Sequence, residues 1–295
     1  MKTNSLKDYL QLHFVVLIAG FTAILGALIS VHSLSVVFFR TFLAALGLFL
    51  YLYFFVKKIP YQVPPKIIGQ LLLMGGMIAL HWFTFFYAAK ISTVAICLAG
   101  LSTTSLWTSF IEPVLNKRKI KAIEVGLGLL TIVGLYLIFL FEFTHITGLL
   151  IAIFSAFLSA LFSVINNRFS KNYTPQIITL YEMMGSAIFT FIPVVYLFFF
   201  GEENLKIIPQ GYDWLWLMIL AIVCTVYAFA EGVELIKKFS AFTFNLTLNL
   251  EPVYGIILAF LIFGEKERMT LGFYLGTFVI LVSVLAYPIL KKRVA

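Results

Sequence analysis

Residues 146–166 read ITGLLIAIFSAFLSALFSVIN, an unbroken run with no charged side chain. As a helix rising about 1.5 Å per residue, such a run extends about 31 Å, which matches the hydrocarbon core of a bilayer. It does not alternate and is too long for a barrel strand. Ser155, Ser159 and Ser163 recur at every fourth position and lead into Asn166 and Asn167. One stripe of the helix is therefore small and polar, while the rest suits lipid.

Nine more segments share this character, giving ten candidate spans at 12–31, 35–56, 66–89, 92–115, 121–141, 146–166, 175–200, 212–235, 240–263 and 270–290. The expected fold class is an all-α polytopic membrane protein. No loop is long enough to fold as a soluble domain. Composition agrees: 62% of the 295 residues are apolar and 12% charged, against roughly half and a quarter in soluble domains. A chain of this size cannot hide so much apolar surface, so lipid must cover part of it. Soluble enzyme, nucleic-acid binder and disordered chain are excluded as readings, despite the net charge of +8. Met1 to Lys7 followed by Leu12 to Ser30 resembles a signal peptide, but the run is too long and lacks a small-x-small site, so it reads as the first span. Cys97 and Cys224 lie inside apolar runs, where no disulfide framework is expected.

Charge orients the spans. With the N-terminus in the cytoplasm, the inner segments hold Lys2, Lys7, Lys57, Lys58, Lys66, Lys117, Arg118, Lys119, Lys121, Arg168, Lys171, Lys237, Lys238, Lys291, Lys292 and Arg293. The outer loops hold only Lys90, Lys206, Lys266 and Arg268. One missed helix would scramble this sixteen-to-four asymmetry. Both termini are expected in the cytoplasm, with the chain in a cell inner membrane.

Five spans per half is an odd number, so homologous halves must insert in opposite senses. A weak repeat supports this. Aligning Ser92-Thr-Val-Ala with Ser240-Ala-Phe-Thr, an offset of 148, sets Asn116-Lys-Arg-Lys119 against Gly264-Glu-Lys-Glu267 and Gly128 against Gly276. The expected units are residues 1–143 and an inverted 144–295. Inverted repeats are a recurrent plan of secondary transporters, with the site near the midplane.

Several short motifs fall in a specific order: Phe39-Arg40 in span 2, His81-Trp82 through Ala88, Ser92 and Ala95 around spans 3 and 4, Gly148-Leu-Leu-Ile-Ala-Ile-Phe-Ser-Ala opening span 6, and Leu250-Glu251-Pro252 with Gly264-Glu265. In this order and layout the chain resembles the drug/metabolite transporter superfamily, specifically proteins with two EamA domains. The first half departs from the pattern: Thr104 stands where the family often has proline, and Asn116-Lys117 replaces Gly-Glu, so a proline-linked kink in span 4 is not expected. The resemblance implies alternating access around a midplane cavity between spans 1, 3, 4, 6, 8 and 9. It also implies export of amino acids or related small metabolites.

Spans 4 and 9 are too polar to face lipid on any side. In span 9, Thr243, Thr247 and Glu251 form one stripe and Asn245 and Asn249 nearly the opposite one. In span 4, Thr93, Cys97, Gly100, Thr104 and Thr108 form one stripe and Ser102, Ser105, Ser109 and Glu112 another, with Thr103 and Trp107 nearby. The two helices are expected to face each other across a cavity, or else to join through hydrogen bonds without a ligand. Glu251 lies about 16 Å deep, near the midplane. Pro252 follows it and offers no N–H to the Leu248 carbonyl, so Glu251 marks either a seat for an ammonium group or proton, or a kink.

Candidate substrate-binding residues are thus Glu251, Asn249, Asn245, Thr104, Thr103, Trp107, His81, Trp82, Tyr227 and Glu182. Candidate coupling residues are Glu251, Glu182, Glu231 and Arg40. Arg40 and Glu231 either act in this way or snorkel to the nearest interface. No second histidine stands at helical spacing from His81, so no metal or haem is expected, and no cofactor. Small residues such as Gly126, Gly134, Gly272 and Gly276 make spans 5 and 10 packing helices or a homodimer contact.

Other classes are weaker. No nucleotide-binding G-x-x-x-x-G-K-[ST] loop is present, so ATP does not drive the chain directly. The only aspartates are Asp8, outside the expected spans, and Asp213, at the very edge of span 8, and no G-x-S-x-G appears, so an intramembrane protease is not expected. An uncoupled facilitator or channel, or an importer, stays open beside the exporter. The partners expected are a small molecule, the bilayer and possible coupling protons, with no nucleic acid.

Overall fold

A computed structural model describes residues 5–56, 63–141, 143–202, 204–267 and 269–294, which are almost entirely helical and include no strand. Eight helices are long and apolar enough to cross a membrane: Leu6–Leu28, Ser33–Phe55, Pro65–Ile91, Val94–Asn116, Ile146–Phe169, Pro175–Phe200, Asp213–Lys238 and Ala241–Phe263. Two more, Ala122–Phe141 and Leu271–Val294, have shorter apolar stretches. In chain order these are spans 1 to 10, each within a few residues of its expected place except at the N-terminus, where span 1 starts at Leu6. The protein is an all-α polytopic membrane protein. Lys2, Lys57, Lys58 and Arg268, used above for orientation, lie outside the described residues.

Span starts follow local chemistry. Ser5 and Asp8 form a capping box on span 1, with Ser5 Oγ accepting from Asp8 N and the Asp8 carboxylate accepting from Ser5 N at 2.9 Å. Pro65 and Pro175 open spans 3 and 7, where a missing N–H costs nothing.

The packing has an internal regularity. Span 3 lies on 6 and 7, span 4 on 6, and spans 1 and 2 on 8, while span 1 also meets 9. Exchanging each span for the one five places along maps 3–6 onto 8–1, 4–6 onto 9–1 and 3–7 onto 8–2. Pairs 2–7, 4–9 and 5–10 map onto themselves.

Spans 4 and 9 are both broken. Span 4 runs Val94–Leu101, turns at Ser102 and Thr103, and resumes Thr104–Asn116. Span 9 runs Ala241–Leu248, turns at Asn249 and Leu250, and resumes Glu251–Phe263. The caps Thr93 and Ser240, the two breaks, and the positive-φ ends Lys117 and Gly264 are each 147 residues apart. The offset of 148 read from the sequence is therefore one too many. Glu251 corresponds to Thr104, and Pro252 to Ser105.

Span 4 breaks without a proline at the turn. Side-chain hydroxyls do the work: Ser102, Thr103 and Thr104 donate to the carbonyls of Ala99, Gly100 and Leu101 at 2.6–2.8 Å. Such back-bonding competes with the helical ladder, and the backbone bonds tighten to three-residue steps such as Thr103 N to Gly100 O. Span 9 tightens likewise, with Leu250 N donating to Thr247 O.

Spans 5 and 10 cross at Gly134 and Gly276, where a methyl on either glycine would fall within 2.6 Å of the other's carbonyl oxygen. Thr131 and Ser283 share a hydrogen bond at 3.2 Å in the same seam. Gly126 has no neighbour within 4 Å, so it is not a packing glycine within the chain; Gly128, against Leu106, takes that place.

Candidate functional site

The two broken spans meet directly. Asn245 Nδ2 donates to Thr108 Oγ1 at 2.8 Å and to Ser163 Oγ at 2.6 Å, tying span 9 to spans 4 and 6. One turn deeper, Asn249 Nδ2 donates to Ser105 Oγ at 2.7 Å. Both asparagines are buried. Thr108 and Ser163 spend their own protons on the carbonyls of Thr104 and Ala160, which leaves their oxygens free to accept. Both asparagines also line an internal space.

That space has a volume of about 150 Å³, below the ~300–1,000 Å³ of drug-sized sites. Its walls come from spans 1, 3, 4, 6, 8 and 9, together with Arg40 of span 2. Thr104, Glu251, Asn245, Asn249, His81, Trp82 and Arg40 all line it. Gly20 lets span 1 approach the break in span 9, since a Cβ there would lie 3.1 Å from the Glu251 carbonyl oxygen.

Most of the polar lining is pinned. His81 Nδ1 lies 2.9 Å from the Ser155 carbonyl, which only accepts, so Nδ1 carries the proton and Nε2 of the neutral ring is an acceptor. Ser155 Oγ donates back to the His81 carbonyl at 2.8 Å, stapling span 3 to span 6. Trp82 packs edge-on against Phe229. Asn245 Oδ1 has no partner.

Other expected residues fall elsewhere. Thr103 is buried, donates to its own helix and does not line the cavity. Trp107 packs on Phe157 outside it. Tyr227 is 47% exposed and meets Phe14. With Glu231 it lines a separate depression formed by the C-terminal parts of spans 2 and 8, beside Lys171 and Lys237. Glu182 is fully buried behind the wall, where Asn166 Nδ2 donates to it at 3.3 Å, and only Asn166 reaches the cavity. Arg40 does not snorkel: it is 2% exposed and turned inward.

Sequence reasoning missed the aromatic lining of Phe85, Phe162, Phe229 and Phe244. Aromatic residues are 17% of the chain, so no one of them stands out. Asn166 was legible only as the end of the serine stripe.

Side chains pack at both ends of the cavity. Toward the end bearing Lys237 and Lys238, Leu12, Val15, Leu235, Ile236, Phe239 and Phe244 form one buried cluster. Beyond Phe85 and Cys224 the opposite end is filled by packed Ile24, Leu25, Phe86, Val94, Leu217 and Leu220. The turn between spans 1 and 2 is tied down there. Ser30 N and Oγ donate to the Asp213 carboxylate at 2.7 and 2.8 Å. Lys90 donates to the carbonyls of Ile29 and Val31, and His32 N to Lys206 O at 2.8 Å.

A solved crystal structure, 16% identical, superposes with a TM-score of 0.71 over 97% of this chain and 99% of its own. At that identity the likeness is one of fold. No curated protein matches the chain. The model of the EamA-like transporter family matches residues 146–287, the half that keeps Leu250-Glu251-Pro252 and Gly264-Glu265. Residues 146–287 are thus similar to the EamA-like transporter family.

Proposed function

We propose that the protein is a secondary transporter that exports amino acids or related small metabolites by alternating access. Two inverted units, residues 1–143 and 144–295, rock about the central cavity. The supporting observation is that cavity itself: it is small, carries polar side chains in its lining, and is walled by two matched broken helices. The pairs 3–6, 4–6 and 3–7 recur five spans along as 8–1, 9–1 and 8–2, which supports two like units that move against each other. The sixteen-to-four charge asymmetry supports cytoplasmic termini in an inner membrane.

Glu251 is the carboxylate available inside the cavity for an ammonium group or a coupling proton. Glu182, behind Asn166, is a second candidate for the proton. Spans 5 and 10 serve as a scaffold, with outer faces such as Leu129, Val133, Leu275 and Phe278 left for lipid or a second copy.

Purified protein in proteoliposomes should show counterflow of labelled amino acids, in which unlabelled substrate on one side accelerates movement from the other. Glu251→Gln should abolish counterflow or remove its pH dependence. Absence of saturable, protein-dependent flux across a broad metabolite panel overturns the reading, and ion-like unitary conductance replaces it with a channel.

A further inference from the structure

We infer that Arg40 is the anion-recognising residue of the central cavity, and that the molecule carried bears a carboxylate, which the guanidinium holds while backed by Trp82. The inference rests on the transport reading above and names the class of substrate.

Arg40 is the one residue that span 2 contributes to the cavity. Its side chain is 2% exposed, and no carboxylate pairs with it among the described residues. Nε donates to Thr225 Oγ1 at 2.7 Å. The guanidinium carbon sits 3.7 Å above the Trp82 ring and 5.8 Å from that of Phe86. Nη1 is buried and has no partner. A hydroxyl and a ring face orient a cation without neutralising it, and an uncompensated charge inside a membrane protein is costly enough to mark a function. If this side chain were only a tie between spans 2 and 8, a neutral donor would serve.

The surroundings are built to present the free edge. Thr225 lies in a widened π turn, Ile222–Tyr227, and donates to Leu220 O five residues back at 2.9 Å. Its oxygen is therefore left to receive Arg40 Nε. Such turns inside α-helices recur at functional sites. With Nε tied and the plane stacked on Trp82, the edge carrying Nη1 remains. A planar pair of N–H donors matches the two oxygens of a carboxylate. Glu251 is the other formally charged side chain lining the space. One cation and one anion on opposite elements of a small cavity suit a zwitterion, which is the chemistry of an α-amino acid.

The test uses full-length protein in detergent and in proteoliposomes. Thermal unfolding is followed with an equimolar mixture of the twenty proteinogenic amino acids, and separately with their carboxamides, which keep the ammonium and lose the anion. The acids should stabilise at concentrations at least tenfold lower than the amides. Arg40→Gln should lose that preference, and Arg40→Lys should retain part of it. If neither variant folds, the comparison on the wild-type protein decides alone. Equal protection by the amides, no protection by the acids, or full protection in Arg40→Gln overturns the inference. The transport reading is judged separately, by flux across the wider metabolite panel, and survives any of those three results if saturable flux is found.

Discussion

The Glu112 carboxylate accepts the backbone N–H of Phe242 at 2.9 Å, so a residue near the end of span 4 caps the first turn of span 9. The same oxygen lies 3.3 Å from Arg118 Nη2, which in turn reaches Glu124 at 3.0 Å. Lys121 closes the set on Glu124 at 3.2 Å. Both glutamates are buried, so this cluster joins span 4 to spans 5 and 9 rather than decorating a surface.

Glu112→Ala removes a charged acceptor from a helix N-terminus and from a guanidinium. The expected loss is about 2 kcal/mol, read as a lower midpoint of thermal unfolding in detergent. Glu112→Gln keeps an acceptor for Phe242 N and should lose less. Equal loss in both variants would show that the ion pair alone matters.

Asn245 offers a different separation. Its Nδ2 serves structure through Thr108 and Ser163, while Oδ1 is unpartnered beside the cavity. Asn245→Ala should cost about 1 kcal/mol of stability, the order of a hydrogen bond between membrane helices. It should also raise the half-saturating substrate concentration in counterflow about tenfold, the equivalent of one lost hydrogen bond. A normal half-saturation constant would confine Asn245 to packing.

Lys117 occupies the left-handed region at φ 51°, where its counterpart in the second half is Gly264 at φ 61°. Left-handed backbone costs a side-chain-bearing residue about 1–2 kcal/mol. Lys117→Gly gives back about 0.4–1 kcal/mol through the freer unfolded chain, so the net gain should be about 0.5–1 kcal/mol. Lys117→Ala, which keeps the Cβ, should show none of it.

Two glycines of span 5 should behave oppositely. Gly134→Ala drives a methyl against the Gly276 carbonyl and should cost about 1–3 kcal/mol by overpacking. Gly126→Ala meets nothing and should be neutral or gain up to about 1 kcal/mol from helix propensity. Unfolding midpoints of the two variants check both statements.

The spans were legible because each is a long uncharged run, and the facing of spans 4 and 9 because polar residues on two sides of a helix cannot meet lipid. Glu251, Asn245, Asn249 and Thr104 followed from that argument. The break in span 4 was not legible, since hydroxyl back-bonding leaves no proline to mark it. Tyr227 was misplaced because its sequence position gives depth but not azimuth, and the π turn before it shifts the face that the helix presents. Arg40 could be read as snorkelling because nothing in the sequence shows that Thr225 and Trp82 wait inside for it.

The two interruptions are chemically unequal. At the second, Pro252 has no amide proton, so Leu248 can never regain its helical donor and the joint is permanent. At the first, Ser105 keeps its N–H, and three hydroxyls would only need to rotate away for a continuous helix to re-form. One joint is a fixed elbow and the other is held only by exchangeable hydrogen bonds, so two breaks in matching places differ in how readily each could straighten.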